Sequence, residues 1–190
     1  MHKSHKIIFI TCLAIGVAVL GTVGIVALRV YVVGFIRIPQ NGMYPTIPAG
    51  SYALTRKSPY RDVSEVEAGD IVVFTKQVDG NIYKYIWRVI GLPGDQVEVS
   101  GESVKINGKE LQHILVRKDG RASIYTEING AASYEIAYEV RDDEKEAPVV
   151  NLKVPENQLF VLGDNRLNAL DSTSHGPIPF DSVIEKVVWD

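Results

Sequence analysis

A long uncharged run near the amino terminus constrains this chain more than any other sequence feature. Ile7–Leu28 is 22 residues long and contains neither a charged residue nor a proline. Because a helix of about 20 apolar residues crosses a bilayer, the run predicts a transmembrane anchor over residues 7–30. A cleaved signal peptide fits less well, since its apolar core is about 7–15 residues long and ends at a small-x-small site. Cys12 has apolar neighbours within the run, which favours an inert cysteine over a lipid attachment site.

The charges divide the chain at the end of this run. The first 37 residues carry four basic and no acidic residues, whereas residues 38–190 carry 16 basic and 23 acidic ones. The net charge of −3 for the whole chain argues against nucleic acid as the main partner. Lys3 and Lys6 precede the run and predict a cytoplasmic tail over residues 1–6, although two arginines after the run weaken this signal. We therefore expect a single-pass cell-membrane protein with a carboxy-terminal domain, residues 38–190, outside the cytoplasm.

The domain after the anchor is predicted to be mainly β. No long stretch of it shows the 3.6-residue periodicity of an amphipathic helix. The pairs Asp79-Gly80 and Asn107-Gly108 are typical of tight hairpin turns. Residues 98–157 are predicted to be a β-rich insertion or satellite lobe, in which the acidic run 142–146 indicates a solvated loop. Strands are predicted at residues 51–55, 71–74, 82–90, 96–100, 103–106, 159–162 and 182–189.

Three short blocks carry the functional signal. They are residues 38–47 (IPQNGMYPTI), residues 69–74 (GDIVVF) with 85–95 (YIWRVIGLPGD), and residues 160–166 (FVLGDNR) with Asp171-Ser172 and Gly176-Pro177 after them. Each block alone is ordinary loop chemistry. In this order and behind one anchor, they resemble a bacterial type I signal peptidase, and LPGD and LGDNR are the most specific parts. Positions that match the family's scaffold are Pro45, Arg88, Gly94, Asp95, Gly163, Asp164, Asn165, Arg166 and Asp171.

This resemblance implies a membrane-anchored serine endopeptidase that removes signal peptides from secreted precursors on the outer face of the membrane. It implies a signal-peptidase-like β core with a β-rich insertion, and no metal or other cofactor. The family's chemistry uses a Ser/Lys dyad, in which the serine hydroxyl attacks and a neutral lysine accepts its proton. Burial keeps such a lysine neutral because it disfavours the ammonium form, and donors near the serine stabilise the oxyanion.

The reactive positions of the family are not matched in this sequence. Gly42 stands at the nucleophile position, and a glycine has no side chain with which to attack. Trp87 stands at the position of the lysine base, and its indole N–H is a donor only. Ala169 replaces the serine that orients the lysine, Gln40 replaces the serine that helps to bind the oxyanion, and Thr173 replaces an expected arginine. The resemblance therefore predicts the scaffold of the enzyme without an intact catalytic site.

Three functions are consistent with this sequence. The leading hypothesis is a catalytically silent member of the family that binds peptides or precursor proteins at the membrane surface. Inactive members of the family occur beside surface-pilus genes, so the resemblance implies pilin precursors as partners, by analogy. The alternative is an active type I signal peptidase with rearranged catalytic residues. The third is an anchored β module that retains the fold without the groove.

Other candidate catalytic residues are weaker. Residues 171–175 contain aspartate, serine and histidine, but catalytic triads assemble in space rather than along the chain, and Asp171 is predicted to be a loop or ion-pair residue. Lys84 lies three residues from Trp87 on a strand, so it is expected on the opposite face. Thr46 and Ser51 are expected to be turn and strand residues. No metal-ligand spacing is present among His2, His5, His113 and His175.

Apolar residues around the first block allow two interpretations. Trp87 either fills the space of the missing lysine or offers a flat surface to an extended peptide. Met43 and Tyr44 follow a cluster of apolar residues, which predicts a rim that faces the membrane or a peptide. The alternative is that these residues pack into the core of a turn. The cluster consists of Phe35, Ile36, Ile38, Met43 and Tyr44.

Overall fold

The computed structural model describes residue 13 and residues 15–26, 32–139 and 149–189. Residues 15–26 are helical (α1), as is residue 13. Within the described residues, no helix is both long enough and apolar enough to cross a membrane. The predicted tail, both ends of the predicted anchor and the acidic run at 142–146 lie outside the described residues.

Short β-strands make up most of the described chain, as the sequence predicts. One short helix, α2 (Ser172–His175), lies near the end of the domain, and two 3₁₀ turns cover Val63–Glu65 and Phe180–Ser182. The strands are β1 (Val33–Arg37), β2 (Tyr52–Lys57), β3 (Ile71–Val78), β4 (Asn81–Gly91), β5 (Gln96–Ser100), β6 (Ser103–Ile106), β7 (Lys109–Glu110), β8 (Gln112–Asp119), β9 (Ala122–Asn129), β10 (Ala132–Glu139), β11 (Val149–Lys153), β12 (Gln158–Leu162), β13 (Ile178–Pro179) and β14 (Val183–Trp189).

These strands form three sheets. The largest has seven strands in the order β1-β2-β14-β3-β4-β12-β13. A four-stranded sheet has the order β11-β5-β6-β7, and a three-stranded sheet has the order β10-β9-β8. The two smaller sheets are built from the chain between β4 and β12. They therefore occupy the region in which the sequence predicts a β-rich insertion.

Both predicted hairpin turns are confirmed. Asp79 and Gly80 join β3 to β4 with φ values of 50° and 80°, and Asn107 and Gly108 join β6 to β7 with φ values of 53° and 76°. Two successive positive φ values match the twist of the flanking strands. The β3–β4 pairing that follows places Trp87 directly opposite Val72.

The seven-stranded sheet carries the main apolar core. This core contains residues of the loop after β1, of β3, β4 and β12, and of the end of β14. A second cluster, which includes Ile90, Phe160 and Leu162, packs against the four-stranded sheet. Since β4 and β12 contribute to both clusters, they are fixed from two sides. Strand β4, the loop after β12 and the loop after β1 carry the candidate site.

The three strands β8, β9 and β10 are not individually predicted by the sequence. Alternation is obscured in β9 because Glu127 and Asn129 are buried polar residues. In β8 the pattern fails in the opposite way, since Ile114, Leu115 and Val116 are exposed. In both strands, the alternation of apolar and polar residues therefore predicts the wrong pattern of burial.

Candidate active site

Three chain segments meet at the positions that match the family's dyad. Gly42 lies in the loop after β1, Trp87 lies on β4, and Ala169 lies in the loop between β12 and α2. A Cβ atom added to Gly42 would lie 2.6 Å from both Cζ3 and Cη2 of Trp87, and 3.8 Å from the Cβ of Ala169. The fold therefore brings together the three positions that the sequence relates to nucleophile, base and orienting serine.

Gly163 allows these segments to approach closely. A Cβ atom on Gly163 would lie 2.6 Å from the carbonyl oxygen of Gly42 and 3.1 Å from Cζ3 of Trp87, and it would overlap the Cβ of Ala169. The neighbouring backbone N–H of Asn165 donates a hydrogen bond of 3.0 Å to the same Gly42 carbonyl. Only glycine fits at residue 163, because real Cβ contacts are essentially never this short.

Trp87 fills the centre of the site. Its side chain is 5% exposed, and its Nε1 has no hydrogen-bond partner among the described residues. The ring borders a cavity of about 130 Å³ between segments 38–43 and 83–87. It also borders a smaller cavity near Leu170 and His175. The ring is thus both buried and part of a cavity wall, which leaves open both interpretations of Trp87, the filling of a lysine's space and a surface for a peptide.

The larger cavity lies along a free edge of β4. Strand β12 pairs with β4 only at its end, through the partners Leu162 and Arg88, Val161 and Val89, and Phe160 and Gly91. Within the described residues, positions 81–87 are therefore paired only on the β3 side. An extended peptide can add to such an edge as a further strand. We call this feature, between residues 38–43 and 83–87, the β4 groove.

A buried ion pair holds β4 against the loop that follows β12. The guanidinium of Arg88 donates to the carboxylate of Asp164 over 2.8 Å from Nε and 2.6 Å from Nη2. It also donates to the Gly69 carbonyl over 2.8 Å and to the Thr46 hydroxyl over 3.2 Å. The Arg88 side chain thus connects three loops. Thr46 lies in a turn, as predicted, and its hydroxyl also accepts one of these hydrogen bonds.

A second buried ion pair joins the same loop to the three-stranded sheet. The Arg166 guanidinium contacts both carboxylate oxygens of Glu127, which is also 2.8 Å from Nε2 of His113 and 2.7 Å from the Tyr134 hydroxyl. Burial by itself raises the pKa of Glu127. The Arg166 charge and hydrogen bonds from His113, Arg166 and Tyr134 outweigh it and lower that pKa from 4.5 to about 2. This pair extends from the Leu-Gly-Asp-Asn-Arg block, although the sequence does not single out Glu127.

The remaining scaffold positions also have structural roles. Gly94 has a φ of 87° in the turn after β4, a conformation that favours glycine. Asp95 closes this turn by accepting a 2.8 Å hydrogen bond from the Leu92 N–H, and its other carboxylate oxygen accepts one from Asn107. Pro45 follows a cis peptide bond in the loop after β1.

Residues 171–175 do not assemble a relocated triad. Asp171 caps α2 by accepting hydrogen bonds of 3.0 Å from the Thr173 N–H and of 3.0 Å from the Gly163 N–H. The buried hydroxyl of Ser172 accepts a 3.0 Å hydrogen bond from the Val161 N–H. Burial raises the pKa of Asp171, and these donors only partly offset it. In the described part of the chain, neither side chain bonds to His175. Asp171 therefore lies in the loop before α2, as one of its two interpretations predicts, and it caps that helix.

Lys84 is also not placed to act as a base. Its amine is 3.5 Å from Oε1 of Glu185, and its side chain is half exposed. Three residues separate it from Trp87 on one strand, so the two side chains lie on opposite faces of the sheet, as predicted. Ser51 bonds to the Pro48 carbonyl within a turn.

The predicted apolar rim is wrong for two of its members. Met43 is 1% exposed and, like Ile38, belongs to the main core. The loop folds back on itself, since the Ile38 N–H donates to Ser51 and the Ile47 N–H donates to Met43. Phe35 is 62% exposed. Tyr44 is partly buried, and its hydroxyl bonds to the Asp119 carboxylate.

Comparison with known proteins identifies the family to which the chain belongs. The family model described as signal peptidase, peptidase S26, matches residues 6–189. Signal peptidase I of Pseudomonas fluorescens is 34% identical over 78% of this chain and 57% of its own length. The Bacillus caldolyticus signal peptidase I is 28% identical over 86% of this chain and 81% of its own length.

Among solved structures, a signal peptidase I from Enterococcus faecalis V583 is 27% identical. The match covers 64% of this chain and 96% of that one, with a TM-score of 0.38. This chain spans little more than half the length of the Pseudomonas fluorescens relative. The family model, in contrast, spans nearly the whole chain. The chain therefore belongs to the signal peptidase family, peptidase S26.

Proposed function

We propose that this protein binds extended precursor peptides in the β4 groove and does not cleave them. The observation that carries the proposal is the contact between Trp87 and Gly42. The tryptophan ring lies 2.6 Å from where the first side-chain atom of residue 42 would be. The space that a nucleophile would need is thus filled by the residue at the position of the base.

The loss of catalytic groups is large enough to abolish useful turnover. Removing one member of a catalytic unit typically lowers turnover about a million-fold. Binding and oxyanion donors alone leave only about a thousand- to ten-thousand-fold acceleration over water. Ser172, the serine of the third block, is buried, and its hydroxyl accepts a hydrogen bond from the Val161 N–H.

Two features of the groove support peptide binding. Among the described residues, an edge of seven β4 residues has no partner on one side, so the N–H and C=O groups that point to this side are available to an added strand. Most of the side chains that line the cavity are apolar or aromatic, and Tyr83 is accessible at 49% exposure. Backbone pairing supplies affinity in this mode, and the side-chain pockets supply selectivity.

We further infer where the protein works and what it binds. The uncharged run 7–28 supports a membrane anchor, with the β domain outside the cytoplasm. Secreted or surface precursor proteins are the ligands that family membership supports. Pilin precursors are a narrower suggestion that rests on analogy with inactive relatives.

A second candidate is an active signal peptidase with rearranged catalytic residues. The comparisons favour it, because the relatives named above are called signal peptidase I. Under this candidate, residues other than Gly42 and Trp87 would supply the nucleophile and the base. The site geometry favours binding alone, so the two candidates differ in one measurable outcome.

The test combines the full-length chain with a preprotein that carries a photo-crosslinker in its signal peptide. We expect crosslinking and no cleavage product by mass spectrometry. Tyr83→Asp should abolish the crosslink, whereas the control Tyr52→Asp, at a 64% exposed residue of β2 outside the cavity, should retain it. A cleavage product that disappears in Ser172→Ala or Ser174→Ala would establish the second candidate. The absence of any crosslink would leave only an anchored β module.

A further inference from the structure

Strand β8 lies at the edge of the three-stranded sheet and carries exposed apolar residues. Its eight residues pair with β9 and, within the described residues, with no other strand. Ile114, Leu115 and Val116 at its centre are each about half exposed, at 55%, 53% and 48%. A free strand edge with large exposed apolar side chains is a template for pairing with another strand. This edge is separate from the β4 groove.

The exposed apolar residues of β8 lie on both faces of the sheet. Ile114 pairs with Thr126 and Leu115 pairs with Tyr125, and successive residues of a strand point to opposite faces. A lipid surface that covered both side chains would also cover the free N–H and C=O groups of the edge, which is costly in hydrocarbon. A further strand covers both side chains and also pairs with these backbone groups. The occupant that fits the edge is therefore a strand rather than a bilayer.

The charges around β8 favour a second copy of the same strand in antiparallel orientation. Within the described residues, neither Lys118 near its end nor Glu110 just before its start forms an ion pair. In an antiparallel pair centred on Leu115, residues 114–116 of the two copies face each other, and Lys118 of each copy lies diagonal to Glu110 of the other. Diagonal neighbours are about 7–8 Å apart, within reach of long side chains. A parallel pair would instead place Lys118 opposite Lys118, and like charges directly opposite are destabilising.

We propose that two copies of this protein associate through their β8 strands, which pair antiparallel across a twofold axis near Leu115. The two three-stranded sheets then form one continuous sheet. Because such an interface uses the same surface on both copies, association closes at a dimer. An interface of two short strands is small, which places the association in the weak, transient class. The dimer does not depend on whether the β4 groove binds peptides.

The first test locates the interface by crosslinking. The full-length chain with Cys12→Ser, which removes the only cysteine, receives one new cysteine and is treated in mild detergent with a short bismaleimide. This reagent also spans the one-residue shift that the bulge after Leu115 introduces. We expect Leu115→Cys to form a crosslinked dimer. The matched control Val149→Cys, at a 79% exposed residue of the edge strand β11, should not.

The same reagent tests the orientation of the two strands. Copies that carry Glu110→Cys and copies that carry Lys118→Cys, with different tags, should crosslink to each other. Lys118→Cys should not crosslink to itself, because the twofold axis separates the two copies of residue 118 by about 20 Å. A product from Lys118→Cys alone, without the mixed product, would contradict antiparallel pairing. As much dimer from Val149→Cys as from Leu115→Cys would show that the association does not use β8.

The second test exchanges charges at the twofold axis. Leu115→Lys and Leu115→Glu each place like charges opposite one another, so each variant alone should associate at least about tenfold more weakly. Energy transfer between donor-labelled and acceptor-labelled copies measures the association. An equal mixture of the two variants places opposite charges together and should recover it, which also shows that both variants are folded. Val149→Lys is the matched control and should associate like the unchanged chain.

Two results of this test would overturn the proposal. A mixture of Leu115→Lys and Leu115→Glu that stays apart would show that the strands do not meet at residue 115. An unchanged chain that is monomeric at every concentration would exclude the dimer. If brominated lipids then quenched a fluorophore at residue 115, the exposed strand would face the bilayer instead.

Discussion

The candidate site, which we call the cleft, and the two buried ion pairs beside it share the loop after β12. They are held together by different kinds of interaction. In the cleft, Gly42, Trp87 and Ala169 meet through backbone and apolar contacts. In the two ion pairs, the buried side chains of Arg88 and Arg166 contact the carboxylates of Asp164 and Glu127 respectively. The geometry of the cleft is thus fixed by groups that take no part in its chemistry. Such a site can lose its reactive groups while the chain segments still meet in the same place.

The largest effect is expected when the missing reactive groups of the cleft are restored. The triple variant Gly42→Ser, Trp87→Lys, Ala169→Ser returns a nucleophile, a base and its orienting hydroxyl, and it also removes the ring that blocks residue 42. We expect it to recover part of the about million-fold loss that follows removal of a catalytic group. Cleavage of a preprotein, followed by mass spectrometry, measures the gain.

The single variant Gly42→Ser is the control for this prediction. It should show no more cleavage than the unchanged chain, because its hydroxyl lacks a base and meets the Trp87 ring. Cleavage by the single variant would mean that the base has been assigned to the wrong residue. A folded but inert triple variant would show that the cleft has lost more than its reactive groups.

The next largest effect is expected on stability, when the buried ion pair between Arg166 and Glu127 is broken. Arg166→Met leaves Glu127 buried without its charged partner, which should lower the free energy of unfolding by about 3–5 kcal/mol. Arg117→Met removes half of the solvent-exposed pair with Glu135, and it should change stability little because exposed pairs contribute little. Urea unfolding of both variants measures the contrast. Equal losses would show that burial does not distinguish the two pairs.

The fold was largely predictable wherever backbone conformation and burial agree with local sequence. Asp79-Gly80 and Asn107-Gly108 require positive φ values, and the strands on either side of each pair follow from that requirement. In β9 the alternation is hidden because Glu127 is buried by a partner, Arg166, that is distant in sequence, and in β8 it is hidden because Ile114, Leu115 and Val116 are exposed. Burial that depends on a remote charge leaves no local pattern.

The same distinction applies to the site. The meeting of Gly42, Trp87 and Ala169 follows from the matched blocks, because each block fixes one segment of the scaffold. The burial of Met43 and the capping role of Asp171 were not predictable, since both depend on how a loop turns back. No side-chain pattern encodes them.

The buried ion pair of Glu127 should also make the stability of the protein depend on pH. The folded-state pKa of Glu127 is about 2, below its ordinary value of 4.5. A lowered carboxyl pKa contributes stability above pH 4.5, and that stability is lost as the pH falls toward 2. We expect a loss of about 3 kcal/mol across this window. Urea unfolding at several pH values should show a smaller decline for Glu127→Gln, and an unchanged decline would assign the effect to other carboxyls.

The smallest effect concerns the packing of the cleft itself. Gly42→Ala adds one methyl group that would lie 2.6 Å from the Trp87 ring, and overpacking of this kind destabilises by about 1–3 kcal/mol. In a Trp87→Ala background the close ring contacts are gone and the Cβ of Ala169, at 3.8 Å, is at an ordinary van der Waals distance, so Gly42→Ala should then cause almost no further loss. The difference between the two losses is the coupling energy of residues 42 and 87, obtained from four urea titrations. A coupling near zero would mean that the ring moves aside without penalty, and the space beside Gly42 would then be open to a side chain after all. A coupling of the expected size would show that the tryptophan at the base position keeps the nucleophile position empty by contact alone.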